Sequence, residues 1–405
     1  MTARSIARSI VLVFAVAVFP ITRTNAGAQR QGPPPVANPA QGDGGVSAFY
    51  TWADQVPATP GRLLRQEPLP EHLLLENASK GVRVLYTSTD GVGGKTPIAA
   101  SGAVYMPKGP AREGGWPIIA WAHGTTGVAD VCAPSWAPRS TRDTNYLNAW
   151  LAQGYAIVAA DYQGLGTPGG HPWMSVRSEG WSVLDNVRAA LGAFPELANA
   201  VVIVGQSQGG HAALSAALLA KAYAPAINIK STVATGVPGP QSFARLARQG
   251  SSTVLLLMLY RGMAVDPAFR PSDYLSEAGQ PLFEAAGKTC PQPGAPPVAA
   301  TTLFKKMPEA LIASAVDDYP TLRFDHPVLI GAGLDDKSVL AEEQYQIALD
   351  ACRAGSTIEI HYYAGKDHGA TVGASLVDSV PFVKRTLAGE PVTGNCASIG
   401  PPPRK

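Results

Sequence analysis

The sequence has little charge and no marked excess of either sign. Its 405 residues include 32 Lys+Arg and 30 Asp+Glu, so that 15% are charged and the formal net charge is +2. Binding to nucleic acid or to an anionic membrane surface relies on clustered positive charge. Neither half of the chain contains a run of like charges. The sequence therefore predicts no nucleic-acid partner and offers no basic patch for anionic lipid.

Long hydrophobic runs are also absent, which argues against a membrane-spanning helix, since such a helix needs about 20 apolar residues. The first thirty residues differ from the rest of the sequence. Arg4 and Arg8 precede a short apolar stretch at 10–19, and Ala26-Gly27-Ala28 offers a cleavage site. This pattern is typical of a secretory signal peptide over 1–28. Residues 29–45, rich in Pro, Gly and Gln, predict a flexible leader. We expect a secreted or periplasmic protein without stable membrane insertion.

Cysteine is scarce, with four residues that all follow the predicted signal peptide: Cys132, Cys290, Cys352 and Cys396. An even number in an exported chain predicts two disulfides, and the four residues allow three connectivities. No pair has CxxC spacing, and no histidine lies near a cysteine at the spacing of metal ligands. Zinc is therefore not expected, and the sequence predicts no cofactor.

From about Phe49 onward, short apolar runs alternate with helical patterns. The predicted strands cover 81–87, 99–105, 116–122, 155–160, 201–204, 231–235, 328–330 and 358–362. The clearest helical patterns cover 180–191 and 210–222, with a weaker one at 342–351. Uniformly apolar strands are typical of a parallel sheet covered on both faces. Their alternation with helices predicts a doubly wound α/β sheet, whose ligands bind outside the carboxyl ends of the strands.

One region interrupts this alternation. Residues 241–319 are helical and loop-like in pattern, between the strand near 231–235 and the strand at 328. An insertion there would lie above the carboxyl ends of the strands as a cap or lid. The sequence therefore predicts a core of 46–240 and 320–405 with a mainly helical cap of 241–319.

A GxSxG motif, Gly205-Gln206-Ser207-Gln208-Gly209, follows the apolar strand at 201–204 and precedes a helix. In this setting the serine lies on a tight strand-to-helix turn that lifts its hydroxyl above the sheet edge, and the glycines avoid clashes in that turn. The helix N-terminus and the amide of Gln208 then point at an oxyanion formed there. We predict Ser207 as a catalytic nucleophile and Gln208 as an oxyanion donor.

A serine nucleophile needs a base, and in this fold class the base follows the acid along the chain. Only His326, His361 and His368 follow Ser207. His326 precedes the strand that should carry the acid, and His361 lies inside a predicted strand. His368 lies in the loop Gly-Lys-Asp-His-Gly just past that strand, where an imidazole reaches over the sheet edge. We predict His368 as the base.

Two aspartates compete for the role of the acid that orients the histidine. Both lie in the loop GAGLDDKSV after the strand at 328. Acid loops of such enzymes commonly place glycine three residues before the acid and valine three residues after it, which Gly333, Asp336 and Val339 fit. The spacing favours Asp336, with Asp335 as the alternative.

The second oxyanion donor is expected in the loop after the strand at 116–122, which reads His123-Gly-Thr-Thr-Gly. The amide that follows His-Gly usually faces the developing charge. Thr125 is therefore the leading candidate and Thr126 the alternative, while His123 is expected to shape the loop. Asp161 also ends a strand, and we expect it to anchor loops by hydrogen bonds.

At these motifs the chain resembles the secretory lipase family of the α/β-hydrolase superfamily. The segments that carry the resemblance are VCAPS at 131–135, LAQGYAIVAADYQGLG at 151–166 and GQSQGGHAALSAALLAKAYAPAINI at 205–229. The resemblance implies an α/β-hydrolase core with a helical cap, hydrolysis of acylglycerols and other carboxylic esters, and no metal or organic cofactor. It also implies the disulfide pairs Cys132–Cys290 and Cys352–Cys396.

The residues and the resemblance together predict a secreted serine hydrolase that cleaves carboxylic esters through an acyl-enzyme. A peptidase of the same fold is one alternative, although the predicted cap lacks the acidic cluster that would bind a substrate ammonium. A non-catalytic hydrolase-like binding protein is the other, although every triad element is present. The expected partner is a small-molecule, lipid or polymer ester.

Overall fold

The structure is a computed structural model that describes residues 44–291 and 298–403. The predicted signal peptide and nearly all of the predicted leader lie outside the described residues. The strands are β1 Leu63–Pro68, β2 Ala78–Thr89, β3 Pro97–Pro107, β4 Trp116–Ala122, β5 Ala156–Ala160, β6 Leu197–Gln206, β7 Ile229–Thr235, β8 Val328–Gly333 and β9 Ile358–Tyr363.

Helices connect most of these strands. They are α1 Thr141–Ala152, α2 Val176–Ala193, α3 Gln208–Tyr223, α4 Pro240–Arg248, α5 Ser252–Val265, α6 Gly279–Ala286, α7 Ala300–Leu303, α8 Glu309–Ala313, α9 Ala341–Arg353, α10 Ala370–Ala374 and α11 Leu376–Ala388. The predicted helices correspond to α2, α3 and α9, each extended by a few residues. Helix α1 and the pair α10 and α11 were not predicted.

All the strands join one sheet in the order β1-β2-β3-β5-β4-β6-β7-β8-β9. The first three strands and the β3–β5 pair are antiparallel. From β5 to β9 every neighbouring pair is parallel. The carboxyl ends of these six parallel strands therefore meet along one edge of the sheet. Polar loops from distant parts of the chain come together at that edge.

The parallel strands are buried on both faces, which explains their uniformly apolar sequences. Alternate residues of β4 face opposite sides: Ile118 packs in one core cluster with α2, α3 and α9. Ile119 and Trp121 pack in the other cluster with α1 and α11. Both clusters consist of buried aliphatic and aromatic side chains, so the sheet is the middle layer of three. The predicted doubly wound α/β-hydrolase architecture is confirmed.

Helices α4 to α8 lie between β7 and β8 and pack around a cluster of their own. The cluster includes Phe243, Leu255 and Met258 from the inserted helices and, from outside the insertion, Trp173 and Met174. The apolar run at 254–260 lies in α5, where Leu255 and Met258 are fully buried. The insertion is thus a helical cap that is joined to the core through residues just before α2.

Two disulfides are present, Cys132–Cys290 and Cys352–Cys396. These are the pairs that the family resemblance implies. The first joins the segment after β4 to the cap, and the second joins α9 to the C-terminal tail. Crosslinks that close 158-residue and 44-residue separations restrict the unfolded chain strongly.

A search of the described helices finds none that is long and apolar enough to cross a membrane. Over the same residues, no cluster of three or more His, Cys, Asp or Glu side chains has an arrangement suited to a metal ion.

Candidate active site

Ser207 occupies the turn between β6 and α3 with a backbone that few residues adopt. Its φ is 60° and its ψ is −123°, a conformation that costs free energy and persists only where the surroundings enforce it. A Cβ on Gly205 would lie 1.9 Å from the carbonyl oxygen of Gly209, and one on Gly209 would lie 1.9 Å from that of Ala122. The two motif glycines are therefore required by close backbone packing.

The imidazole of His368 lies against the Ser207 hydroxyl. The distance from His368 Nε2 to Ser207 Oγ is 2.8 Å, and the distance from His368 Nδ1 to Asp336 Oδ2 is 2.7 Å. With Nδ1–H donating to the carboxylate, the Nε2 lone pair faces the serine and is able to accept its proton. The three predicted triad residues come together in one hydrogen-bonded chain.

The Asp336 carboxylate is held by its own loop. Its side chain is fully buried, and Oδ1 accepts hydrogen bonds from the backbone amides of Ser338 and Val339, both at 2.8 Å. Oδ2 is left to face His368. The neighbouring Asp335 bonds through its backbone amide to the carbonyl oxygen of Lys366 at 2.9 Å, which links the acid loop to the histidine loop.

The other two histidines considered from the sequence lie away from Ser207. His326 Nε2 is 2.8 Å from the hydroxyl of Thr232 in the middle of β7, and burial lowers the pKa of His326 to about 4. His361 on β9 lies beside Glu359 and Asp378. Neither takes part in the hydrogen bonds around the nucleophile.

The loop after β4 packs against Gln206 and Ser207. A Cβ on Gly124 would lie 2.7 Å from Gln206 Oε1 and 3.5 Å from Ser207 Cβ. The Thr125 hydroxyl oxygen accepts a hydrogen bond from the indole of Trp173 at 3.1 Å, while the Thr126 hydroxyl is buried without a hydrogen-bond partner. The two predicted candidates therefore differ in how firmly their side chains are held.

Gln208, the other predicted oxyanion donor, is the first residue of α3. Backbone amides in the first turn of a helix have no partner within the helix, and the helix dipole adds positive potential there. The predicted role of Gln208 requires this amide to point into the space beside the serine, where an ester carbonyl oxygen would gain negative charge.

His123 shapes this loop, as its sequence position predicts. Its Nδ1 is 2.7 Å from the Gly124 carbonyl oxygen, and its ring stacks on Tyr162 at a centroid distance of 4.3 Å. The Tyr162 hydroxyl donates to the His123 carbonyl oxygen at 2.8 Å. Burial lowers the pKa of His123 to about 4, so the ring is neutral at ordinary pH.

The Asp161 carboxylate, at the end of β5, holds the neighbouring loop together. It accepts hydrogen bonds from the Ser101 hydroxyl at 2.7 Å and from the amide of Ser135 at 2.9 Å, and the Ser135 hydroxyl also donates to it. These contacts agree with the expected anchoring role. Burial raises the pKa of this carboxyl, and the hydrogen bonds oppose that effect.

A buried polar cluster next to Gln208 has no counterpart in the sequence predictions. It comprises His171, Glu179 and His211, and with Gln208 itself all four side chains are almost fully buried. The available signal was Glu179, a carboxylate that directly precedes the predicted helix at 180–191 and lies in the first turn of α2. Its partners lie on other elements, so the sequence pattern alone does not identify them.

Sheets of this strand order, with a serine on the tight turn after β6, define the α/β-hydrolase fold. The crystal structure of Candida antarctica lipase A shares the fold, with a TM-score of 0.68, 21% identity and 88% coverage of each chain.

Within that fold, residues 138–290 match the family model described as secretory lipase. "Lipase A" of Moesziomyces aphidis is 26% identical over 204 residues, which cover 47% of this chain and 42% of the relative. A secreted triacylglycerol lipase of Malassezia globosa is 26% identical over 326 residues, which cover 70% of this chain and 68% of that relative. These matches confirm the resemblance to the secretory lipase family that was found in the sequence.

Proposed function

We propose that the protein is a serine hydrolase that cleaves carboxylic esters, with Ser207 as nucleophile, His368 as general base and acid, and Asp336 as the orienting carboxylate. The observation that carries the proposal is the continuous chain from Ser207 Oγ to His368 Nε2 at 2.8 Å and from His368 Nδ1 to Asp336 Oδ2 at 2.7 Å. The family match and the lipase relatives support the same activity.

In the first half of the reaction, Ser207 Oγ attacks the ester carbonyl carbon and its proton passes to His368 Nε2. The carbonyl oxygen becomes an oxyanion that accepts hydrogen bonds from the amides of Gln208 and Thr125. Each such donor contributes about 3–4 kcal/mol of transition-state stabilisation in comparable sites. His368 then protonates the departing alkoxide, the carbon–oxygen bond breaks, and an acyl-serine remains.

In the second half, water replaces the alcohol beside His368. The imidazole takes a proton from this water as its oxygen attacks the acyl carbon, and the second tetrahedral intermediate expels Ser207 Oγ, which recovers its proton from His368. The carboxylic acid is released, and the residues return to their starting protonation states. The ester and one water molecule are consumed, and the alcohol and the carboxylic acid are the products.

The substrate class that we propose is an uncharged acyl ester, such as an acylglycerol or another lipid or polymer ester. One matched relative is named as a triacylglycerol lipase, and the cap interior is apolar. We also propose that the protein acts outside the cytoplasm, after removal of the signal peptide predicted at 1–28. The secretory family and the secreted relative support this location.

The test is hydrolysis of p-nitrophenyl esters from acetate to palmitate by wild type, Ser207→Ala and the matched variant Ser231→Ala. Ser231 is a buried serine on β7 whose hydroxyl bonds to Thr386. We expect Ser207→Ala to lose activity by a factor on the order of 10⁴ or more, and Ser231→Ala to keep it. Equal activity of wild type and Ser207→Ala would refute the proposal.

A fluorophosphonate probe separates this function from the two alternatives. The proposed enzyme becomes phosphonylated at Ser207, seen as a mass increase on the peptide that contains it, and turns over esters faster than peptide anilides. A binding protein without catalysis would show no labelling, and a peptidase would prefer the anilides.

A further inference from the structure

Residues 171–179, which we call the support segment, contact both residues proposed to donate to the oxyanion. The segment lies between β5 and α2 and includes the first turn of α2. On one side it reaches Gln208 and on the other side Thr125. The proposed mechanism assigns it no role, although its polar side chains are buried at the site.

The side-chain amide of Gln208 donates both of its hydrogens to this segment. Gln208 Nε2 lies 2.8 Å from Glu179 Oε1 and 3.0 Å from His171 Nε2. His171 Nδ1 is 2.8 Å from the carbonyl oxygen of Gln163, so Nδ1 carries the hydrogen and Nε2 is the acceptor. Burial lowers the pKa of His171, in agreement with a neutral ring. The Gln208 side chain is thereby fixed in one orientation.

Glu179 is itself held from two further directions. Its Oε1 accepts from the Met174 amide and its Oε2 accepts from His211 Nδ1–H, both at 2.8 Å. The carboxylate is fully buried, and hydrogen bonds to a buried charged group are stronger than those between neutral groups. A three-way anchor of this kind resists displacement of Gln208.

The contact with Thr125 is made by Trp173. Its indole N–H donates to the Thr125 hydroxyl oxygen at 3.1 Å. The Trp173 side chain is fully buried, and its ring lies 4.6 Å from the Phe243 ring of cap helix α4. The same side chain therefore touches the loop after β4 and the cap.

The cap also holds the backbone of the support segment. Arg261 on α5 donates to the Trp173 carbonyl oxygen at 2.8 Å and forms an ion pair with Asp317. Asp317 in turn accepts from the Val176 amide at 3.1 Å. Between these contacts, Met174 has a φ of 63°, a strained conformation for a residue other than glycine. The cap contacts stabilise this shape.

We propose that the support segment positions the two oxyanion donors, and that Trp173 and Glu179 are its positioning residues. The inference rests on the proposed function. Removing one oxyanion donor from a comparable site lowers kcat by a factor on the order of 10²–10³. A small displacement of a donor gives a smaller loss, and the loss falls on the transition state rather than on substrate binding.

The decisive variant is Trp173→Phe, which keeps an aromatic side chain but replaces the indole by a smaller phenyl group without the N–H. The matched control is Trp181→Phe, because the Trp181 indole nitrogen is buried without a hydrogen-bond partner. We expect Trp173→Phe to lower kcat for a p-nitrophenyl ester about tenfold with KM within about twofold. Inhibition by an arylboronic acid, which forms a tetrahedral adduct with the serine, should weaken about tenfold as well.

A second pair of variants tests Glu179. Glu179→Gln keeps an acceptor for Gln208, whereas Glu179→Leu removes it, so we expect a smaller loss of kcat from the first than from the second. Circular dichroism and a thermal melt establish that each variant is folded. If Glu179→Leu does not fold, Trp173→Phe decides the matter, since the matched Trp181→Phe makes the same change of side-chain volume without the loss of a hydrogen bond.

The inference is overturned if folded Trp173→Phe matches Trp181→Phe in kcat, KM and boronic-acid affinity. It is also overturned if KM rises while kcat stays constant, because that result assigns Trp173 to substrate binding. Failure of the proposed function has a different signature, since the wild type itself would then neither hydrolyse esters nor accept a fluorophosphonate at Ser207.

Discussion

On one side of Ser207, the side chains of His368 and Asp336 take their hydrogen bonds from loops of the core. The cap reaches this side through Arg245, which donates to the Lys337 and Ser338 carbonyl oxygens of the acid loop. The acid bonds to amides of its own loop, and the histidine loop is tied to the acid loop by a backbone hydrogen bond from Asp335 to Lys366. On the other side, Thr125 and Gln208 are contacted by side chains of the support segment, which is held by cap residues Arg261 and Asp317.

This difference separates two requirements of the proposed chemistry. The hydrogen bonds that position the His368 and Asp336 side chains come from loops at the sheet edge, so we expect proton transfer to depend mainly on the core. Stabilisation of the oxyanion depends in addition on where the cap lies. Variants on the two sides should therefore produce different kinetic signatures.

The largest effect is expected for Asp336→Asn, which removes the carboxylate that bonds to His368. The amide cannot hold the His368 tautomer that leaves Nε2 free to accept, so kcat should fall by a factor on the order of 10³–10⁴. Asp335→Asn, one residue earlier, is the matched control and should keep most of the activity. Ester hydrolysis at pH 7.5 measures both. A greater loss from Asp335→Asn would reverse the assignment of the acid.

A next, smaller effect is expected for Gly236→Ala, which also acts on the side of Ser207 that carries His368 and Asp336. An added Cβ would lie 3.0 Å from His368 Cε1, and Gly236 has a φ of 57°. The imidazole must shift, and we expect kcat to fall about 100-fold. At Gly239 the same change meets only Ile347 at 3.6 Å, so Gly239→Ala should be close to wild type in the same assay. Similar kcat values for the two variants would contradict this account.

A loss of several-fold in kcat is expected for Asp317→Asn, which weakens the cap's hold on the support segment. Asp317 accepts from Arg261 with one carboxylate oxygen and from the Val176 amide with the other. Asparagine has a single acceptor oxygen and no charge, so one of these hydrogen bonds is lost and the ion pair is removed, while His368 and Asp336 keep their contacts. The neighbouring, exposed Asp318 supplies the control variant Asp318→Asn. Steady-state kinetics should show the loss in kcat with KM nearly constant. An unchanged kcat in folded Asp317→Asn would argue that the cap and the oxyanion donors are independent.

The smallest effect on activity is expected for His326→Asn, because His326 lies away from Ser207. This variant tests how the free energy of unfolding depends on pH. The folded pKa of His326 is about 4, below the unfolded value of about 6.5. Between these values the unfolded chain binds the extra proton, so the free energy of unfolding falls as pH falls, by up to about 3 kcal/mol.

Urea unfolding from pH 7 to pH 4 measures this slope in wild type and variant. In His326→Asn the free energy of unfolding should no longer show the part of its pH dependence that comes from the uptake of one proton. The variant His72→Asn, at an exposed histidine, should keep that dependence. Parallel slopes for wild type and His326→Asn would show that His326 does not titrate between these two pH values.

Much of the fold was predictable because parallel strands buried on both faces have uniformly apolar sequences. The eight predicted strands correspond to β2 to β9. Strand β1, Leu63–Pro68, was missed because it pairs only with β2 at the sheet edge, mixes charged with apolar residues and ends in proline. Helix α11 contains Pro381, which in a sequence pattern indicates a helix end.

The candidate triad followed from chain order and loop spacing, which are local features. The support segment did not, because its contacts join distant residues: Glu179 and Gln208 are 29 positions apart, and Trp173 and Thr125 are 48 apart. Such partners are chosen by how α2, α3 and the cap pack. The choice between Thr125 and Thr126 also depends on packing, since both are threonines in one loop and the sequence does not distinguish them.

The disulfide between Cys132 and Cys290 has a practical consequence for recombinant expression. It joins the segment after β4 to the far part of the cap, and Cys132 is almost fully buried. In a bacterial cytosol both thiols would stay reduced, and the cap would be attached only by its chain ends and its noncovalent contacts. Material made by periplasmic or yeast secretion, with the crosslink verified by mass spectrometry, is the sample on which cap effects should be measured.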